Sequence, residues 1–219
     1  MKIHEVIAFD LDGTLTEPSK GLVASFKFAL DKMNIDYGCE ENLKKFIGPP
    51  LREVWQETYG LSRDEAEKAV QIFRGYFAEY GWWNNEMYDG IPELLETLKS
   101  RGKKIIFATS KPEIFAKKIL ELFKIDKYFD FIGGASTDTS RDKKHQVLEY
   151  SLKSVGVTSL KDKNKCILVG DRKFDAEGAK ICNIDSLGVL YGHGSYEEIS
   201  TCGFTHFVKT VKDVEDFLK

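Results

Sequence analysis

The 219 residues carry 32 Lys and Arg against 35 Asp and Glu, a formal net charge of -3, so no global positive field invites a nucleic-acid backbone or an anionic membrane. With 42% hydrophobic residues the chain can build one core domain plus an insertion, and no apolar run approaches the ~20 residues of a spanning helix. Cys39, Cys166, Cys182 and Cys202 are widely spaced with no CxxC pair, and no charged, apolar leader opens the chain, which together read as reduced thiols in a cytoplasmic protein.

In chain order, the first element is the apolar run "VIAF" (6 to 9), too short for a helix and broken by Gly13, which reads as a buried strand ending in a loop. From 17 to 83 the pattern is helical, in "GLVASFKFALDKMNI", "LREVWQETYG" and "SRDEAEKAVQIFRGYFAEYG", with no convincing strand. This stretch reads as an all-helical insertion that leaves after Asp12, returns before "YDGIPELLETL" and is placed as a lid over the carboxylates. Hinges are expected at its boundaries; "FIGPPL" (46 to 51) and "GWWNNEMYDG" (81 to 90) are its irregular stretches, with Trp82 and Trp83 read as hinge packing.

Strand-like runs then recur at "KKIIFATS" (103 to 110), "YFDFIGGA" (128 to 135), "NKCILVGD" (164 to 171), "DSLGVLYG" (185 to 192) and "THFVKT" (205 to 210), with helical patterns between them. Alternating strands and helices imply an α/β fold, a Rossmann-like doubly wound parallel sheet of residues 1–16 and 84–219 carrying the 17–83 insertion. In such a sheet ligands bind at the C-terminal ends of the strands, where helix N-termini converge.

That edge collects Asp10 and Asp12, Thr109 and Ser110, a lysine at 143 or 144, and Asp171 with Asp175, a set suited to phosphoryl transfer. Asp10, ionised at neutral pH, can attack phosphorus and split one displacement into two through an acyl phosphate. Asp12 can protonate the leaving alkoxide and then deprotonate water. Carboxylates facing a phosphate need a hard cation with oxygen ligands, Mg²⁺ above all, held by Asp10 and Asp171 and by the Asp12 backbone carbonyl, with Asp175 in support. Thr109 offers a hydroxyl and Ser110 an N–H, read as lying at the head of the next helix, for the transferred oxygens. Each feature has a bland alternative, since Asp, Thr and Ser at strand ends often only cap turns and most lysines only solvate a helix face.

In this order, "DLDGT", "ATS", a lysine and "GDRKFD" resemble the four motifs of the haloacid dehalogenase-like superfamily, specifically its phosphatases with a helical cap, over nearly the whole chain. The resemblance implies Asp10 as nucleophile, Asp12 as acid/base, Thr109 as phosphate-binding hydroxyl and Asp171 as metal ligand. Both Lys143 and Lys144 are candidates for the third motif; the spacing of Lys144 to Val147 resembles close relatives and favours it. Lys111 in "TSKP" is similar to a segment of phosphoglycolate phosphatases and is read as an auxiliary surface or phosphate-facing charge. "FIGPPLRE" and "LGVLYGHGSYEEI" are similar to bacterial proteins labelled phosphoglycolate phosphatase or 5'-nucleotidase, with Arg52 the cap residue expected to reach a substrate. Tyr191 and Gly192 read as loop closure, and His145 and His193 show no metal-ligand spacing.

The expectation is therefore Mg²⁺-dependent hydrolysis of a small phosphorylated metabolite by a monomer or a dimer, with no nucleic-acid polymer and no membrane as partner. A phosphomutase of the β-phosphoglucomutase type uses the same motifs. A non-enzymatic receiver-like phosphoacceptor also uses an aspartate, Thr/Ser and Lys, but the helical insertion and Asp12 count against it.

Overall fold

Four apolar residues, Val6–Phe9, form strand β1, buried along its length and paired with a parallel neighbour on each side. An unbroken apolar run is what such a strand needs, because both faces of a parallel sheet are covered. The computed structural model describes residues 2–48, 51–138 and 140–219. After β1 come a two-residue strand β2 (Thr16–Glu17), helices α1 (Ser19–Met33), α2 (Leu51–Tyr59) and α3 (Arg63–Tyr76), and strand β3 (Glu86–Met87). Helix α4 (Ile91–Ser100) leads to β4 (Lys104–Pro112), α5 (Glu113–Leu122), β5 (Phe131–Ala135), α6 (Lys144–Ser154) and α7 (Leu160–Lys163). The chain ends with β6 (Cys166–Gly170), α8 (Lys173–Cys182), β7 (Asp185–Val189), α9 (Tyr196–Thr201), β8 (His206–Val208) and α10 (Val211–Leu218).

Contacts divide the chain into two compact units, one of residues up to Thr16 together with Met87–Lys219, the other of Glu17–Glu86. In the first, six parallel strands run in the order β5-β4-β1-β6-β7-β8. This is the Rossmann-like α/β sheet expected. The chain winds outward from β1 through β4 to β5, then returns to lay β6 on the other side of β1, so the C-terminal end of β1 sits at a topological switch point. On one sheet face Val6, Ala8, Ile106, Ala108 and Leu168, spaced by the two-residue strand period, pack with Val147, Leu148 and Leu152 of α6 and Ala179 of α8.

Strand β4 overruns its expected end. It continues through Ser110 and Lys111 to Pro112, with a register shift against β5 between Ala108 and Pro112, and α5 begins only at Glu113. Pro112 supplies the reason: the residue before a proline is pushed to extended backbone, which delays the helix. The Ser110 N–H is therefore not at a helix head, as the sequence pattern had implied, and Ser110 is exposed.

In the second unit Phe26 of α1 is the hub, its ring centroid 5.6 Å from Phe46, 5.4 Å from Trp55 and 4.7 Å from Phe73. Helix α3 starts with a Ser62–Glu65 capping box and runs on into a π-helical turn, Phe77–Gly81. Gly21 of α1 meets that turn so closely that a Cβ there would lie 2.0 Å from the Gly81 carbonyl oxygen. The helical pattern holds in this stretch, and just at and beyond its limits Thr16–Glu17 (β2) and Glu86–Met87 (β3) pair as a small ribbon that the strand reading did not include. Of the "FIGPPL" stretch, Pro49 and Pro50 lie outside the described residues. No described helix is long and apolar enough to cross a membrane.

Candidate active site

Asp10 stands one residue beyond β1, its N–H still donating to the Val169 carbonyl oxygen of β6 at 3.0 Å. Phe9 lies opposite Phe107 of β4 and Val169 of β6, so Asp10 and Asp171, each just past its strand, and Thr109, within β4, belong to three adjacent strands at one sheet edge. The buried Asp10 carboxylate accepts from Lys144 Nζ at 2.6 Å. Lys144 opens α6, is itself buried, donates also to the Ala108 carbonyl oxygen at 3.1 Å, and lies 2.8 Å from Asp175 Oδ1. Lys143 is exposed. Asp175 sits in the first turn of α8, where its Oδ2 accepts from the Arg172 N–H at 3.1 Å, so one carboxylate both caps the helix and meets the lysine.

Asp10, Asp171 and Asp175 each offer an oxygen within 4.8 Å of the others, and all three are buried. Burial, then the charges of Asp175 and Asp10, push the Asp171 carboxyl well above its ordinary range, against the His193 N–H and Arg172. Asp175 is also raised, by burial first, with Lys144 opposing and Asp10 adding to the rise. Burial acts to deprotonate Lys144, but Asp10 and Asp175 outweigh it and hold the ammonium above its ordinary value. One ammonium among three carboxylates leaves the cluster short of positive charge.

Backbone shapes the rest of the pocket around Asp171. Gly13, at φ +81°, comes so close that a Cβ would stand 2.0 Å from Asp171 Oδ2, and a Cβ on Gly192 would stand 2.5 Å from Asp171 Cβ. The His193 N–H donates to Asp171 Oδ2 at 2.7 Å, while Asp171 Oδ1 is buried with no hydrogen-bond partner among the described residues. An orphaned carboxylate oxygen in an all-oxygen cluster with excess negative charge fits a hard divalent cation.

Asp12 leaves β1 behind and forms a bridge with Thr16, and its Oδ2 pairs with Lys111 Nζ at 2.6 Å. The two neighbouring aspartates thus take different lysines. Thr109 is buried within β4, three residues before its end, its Oγ1 accepting from the Lys111 N–H at 3.2 Å. Arg52, on α2 in the second unit, is half-exposed and pairs with Glu67 of α3 at 2.6 Å.

Two features escaped sequence reasoning. Lys111 is no surface charge: its side chain is 5% exposed and paired with Asp12. Tyr191 and Gly192 do more than close a loop, since the Tyr191 hydroxyl donates to the Thr14 carbonyl oxygen at 3.0 Å and Gly192 lets the backbone approach Asp171, which the His193 N–H then holds. The glycines of "GHG" (192 to 194) were the available signal, because close backbone approach to a side chain demands glycine.

A family model described as haloacid dehalogenase-like hydrolase matches residues 7–189. The chain is 40% identical over 201 residues to a 5'-nucleotidase of Pseudomonas aeruginosa, covering 92% of this chain and 89% of that one. A crystal structure from Clostridium acetobutylicum, described as a predicted phosphatase, superposes with a TM-score of 0.93 at 38% identity and covers 99% of each chain. The structure of protein tyrosine kinase A of Mycobacterium tuberculosis superposes at 0.83 with 34% identity, covering 100% of this chain and 99% of that one. With the motif residues gathered at one sheet edge and this likeness running the length of the fold, the chain belongs to the haloacid dehalogenase-like hydrolase family, among its phosphatases.

Proposed function

We propose that the protein hydrolyses a small phosphate monoester in a Mg²⁺-dependent reaction through a phosphoryl group carried on Asp10. The observation that carries this reading is the buried Asp10 carboxylate at the switch point of the sheet, fixed by Lys144 at 2.6 Å and close to Asp171 and Asp175. The carboxylate is buried and oriented by its lysine, which is what a nucleophile toward phosphorus requires. As Asp10 bonds to phosphorus, the ester oxygen departs and takes a proton from Asp12. Water then attacks the phosphoryl group, Asp12 takes the proton, and the Asp10 carboxylate is restored. Thr109 and Lys144 face the transferred oxygens with a hydroxyl and an ammonium.

Asp10 and Asp171, with the Asp12 carbonyl, would hold Mg²⁺, and Asp175 would orient Lys144. When bound, the ion supplies the positive charge that this cluster lacks for accepting a phosphate. The 40%-identical 5'-nucleotidase supports nucleoside monophosphates as the first substrate class to try, and the resemblance to phosphoglycolate phosphatases adds small carboxylated monoesters. A cytoplasmic enzyme is part of the proposal, supported by four free cysteines, with a monomer as the default state and a dimer as the alternative.

The test is phosphate release from nucleoside 5'-monophosphates, phosphoglycolate, sugar phosphates and p-nitrophenyl phosphate, with Mg²⁺ and with chelator. Release that needs Mg²⁺ and ranks the esters supports the reading. Transfer to an added hexose phosphate without release would replace hydrolysis by a mutase reaction.

A further inference from the structure

We infer that Lys111 is a positioning residue for the acid/base carboxylate Asp12, an assignment that rests on the phosphatase reading above. The overrun of β4 brings it there. Over Thr109, Ser110 and Lys111 burial alternates inside, outside, inside, as the two-residue period of a strand requires, so Lys111 shares a side with Thr109. Had α5 begun at Ser110, this alternation would not exist.

The lysine side chain is 5% exposed and Asp12 20% exposed, with 2.6 Å between Nζ and Oδ2. Removing two charges from water costs more than a pair commonly returns, and an apolar pair of similar volume would serve stability as well or better. What an ion pair adds is geometry. With Oδ2 fixed on Lys111, the rotation of the Asp12 carboxyl is set, and Oδ1 is buried with no hydrogen-bond partner among the described residues. Oδ1 is therefore the oxygen that carries the exchangeable proton. It passes that proton to the leaving ester oxygen as the P–O bond breaks and Asp10 bonds to phosphorus. It regains one from water as the new P–O bond forms and the bond to Asp10 breaks. Lys111 keeps its own protons in both halves.

Leaving groups separate this role from a merely structural one. Nitrophenolate departs without a proton, whereas an alkoxide needs one. In rapid-mixing experiments with Mg²⁺, Lys111→Met should change the first-turnover rate with p-nitrophenyl phosphate less than about threefold, and that with phosphoglycolate by about 10²-fold, the scale of general acid catalysis. In an Asp12→Asn background Lys111→Met should cost nothing further, because the lysine acts through the carboxylate. Where Lys111→Met fails to fold, as judged by thermal melting, Lys111→Gln makes the same comparison with the same ester-selective loss expected. Equal slowing of both esters, losses of Lys111→Met and Asp12→Asn that multiply, or a change confined to KM would overturn the assignment. Full turnover in Asp10→Asn would instead remove the phosphatase reading beneath it.

Discussion

At the scale of single residues, the pocket depends on close backbone approach as much as on charge. Gly13→Ala puts a methyl 2.0 Å from Asp171 Oδ2 at a backbone angle of φ +81° that side chains rarely adopt. The variant should bind Mg²⁺ at least tenfold more weakly in calorimetric titration, and unchanged affinity would show that Asp171 does not hold the ion. Thr109→Val deletes one oxyanion donor and should lower kcat by roughly 10²- to 10³-fold. A loss under tenfold would reduce Thr109 to a brace for the Lys111 N–H.

The thiols give an independent residue-level check. Burial pushes Cys166 up to about 12 and Cys182 up to about 11, whereas Cys39 is exposed. An alkylating reagent near pH 8 should modify Cys39 in native protein and spare Cys166 and Cys182 until denaturant is added. Rapid labelling of Cys166 in the native state would contradict its place inside β6.

At the scale of elements, the aromatic hub of the second unit sets its stability. Phe26→Ala removes a side chain that touches rings from three other segments, and should cost about 3–5 kcal/mol in denaturant unfolding, typical of a buried phenylalanine. A cost under 1 kcal/mol would mean that the rings repack without it.

The element scale also shows what could be read from residues alone. The apolar run of β1 and the strand–helix alternation foretold a parallel sheet, because a strand covered on both faces has to be apolar throughout. The places of Asp10 and Asp171 at the sheet edge were legible for the same reason, each following directly on such a strand, and that of Asp12 from its two-residue spacing to Asp10. The pairing of Asp12 with Lys111 was not, since it depends on β4 running four residues further than its apolar stretch, under the influence of Pro112. Nor was the hold of His193 on Asp171, because every residue but proline has a backbone N–H and composition does not say which one a carboxylate meets. The ribbon of β2 and β3 is too short to leave a period in the sequence.

At the scale of the whole molecule, the acidic cluster couples stability to pH and to metal. Asp171 and Asp175 are raised above the ordinary 3.8 in the folded state, so the fold binds protons that the unfolded chain releases. Their contribution is complete below the unfolded value and is lost as pH rises through the raised folded values. Metal-free protein should therefore melt higher at pH 5 than at pH 7. Saturating Mg²⁺ should raise the pH 7 value and flatten the difference, since the ion takes the place of the protons. A melting temperature that rises from pH 5 to 7 without metal would contradict the assigned charge state.

The central claim is that phosphorus is bound to Asp10 during turnover. The most direct measurement is acid quenching of the enzyme with substrate and Mg²⁺ within a turnover, followed by peptide mass spectrometry of the segment spanning residues 6–19. The account predicts one added phosphoryl group on Asp10, lost on hydroxylamine treatment and absent in Asp10→Asn, which also releases no phosphate. Full phosphate release by Asp10→Asn, or a phosphoryl group on another side chain, would contradict it.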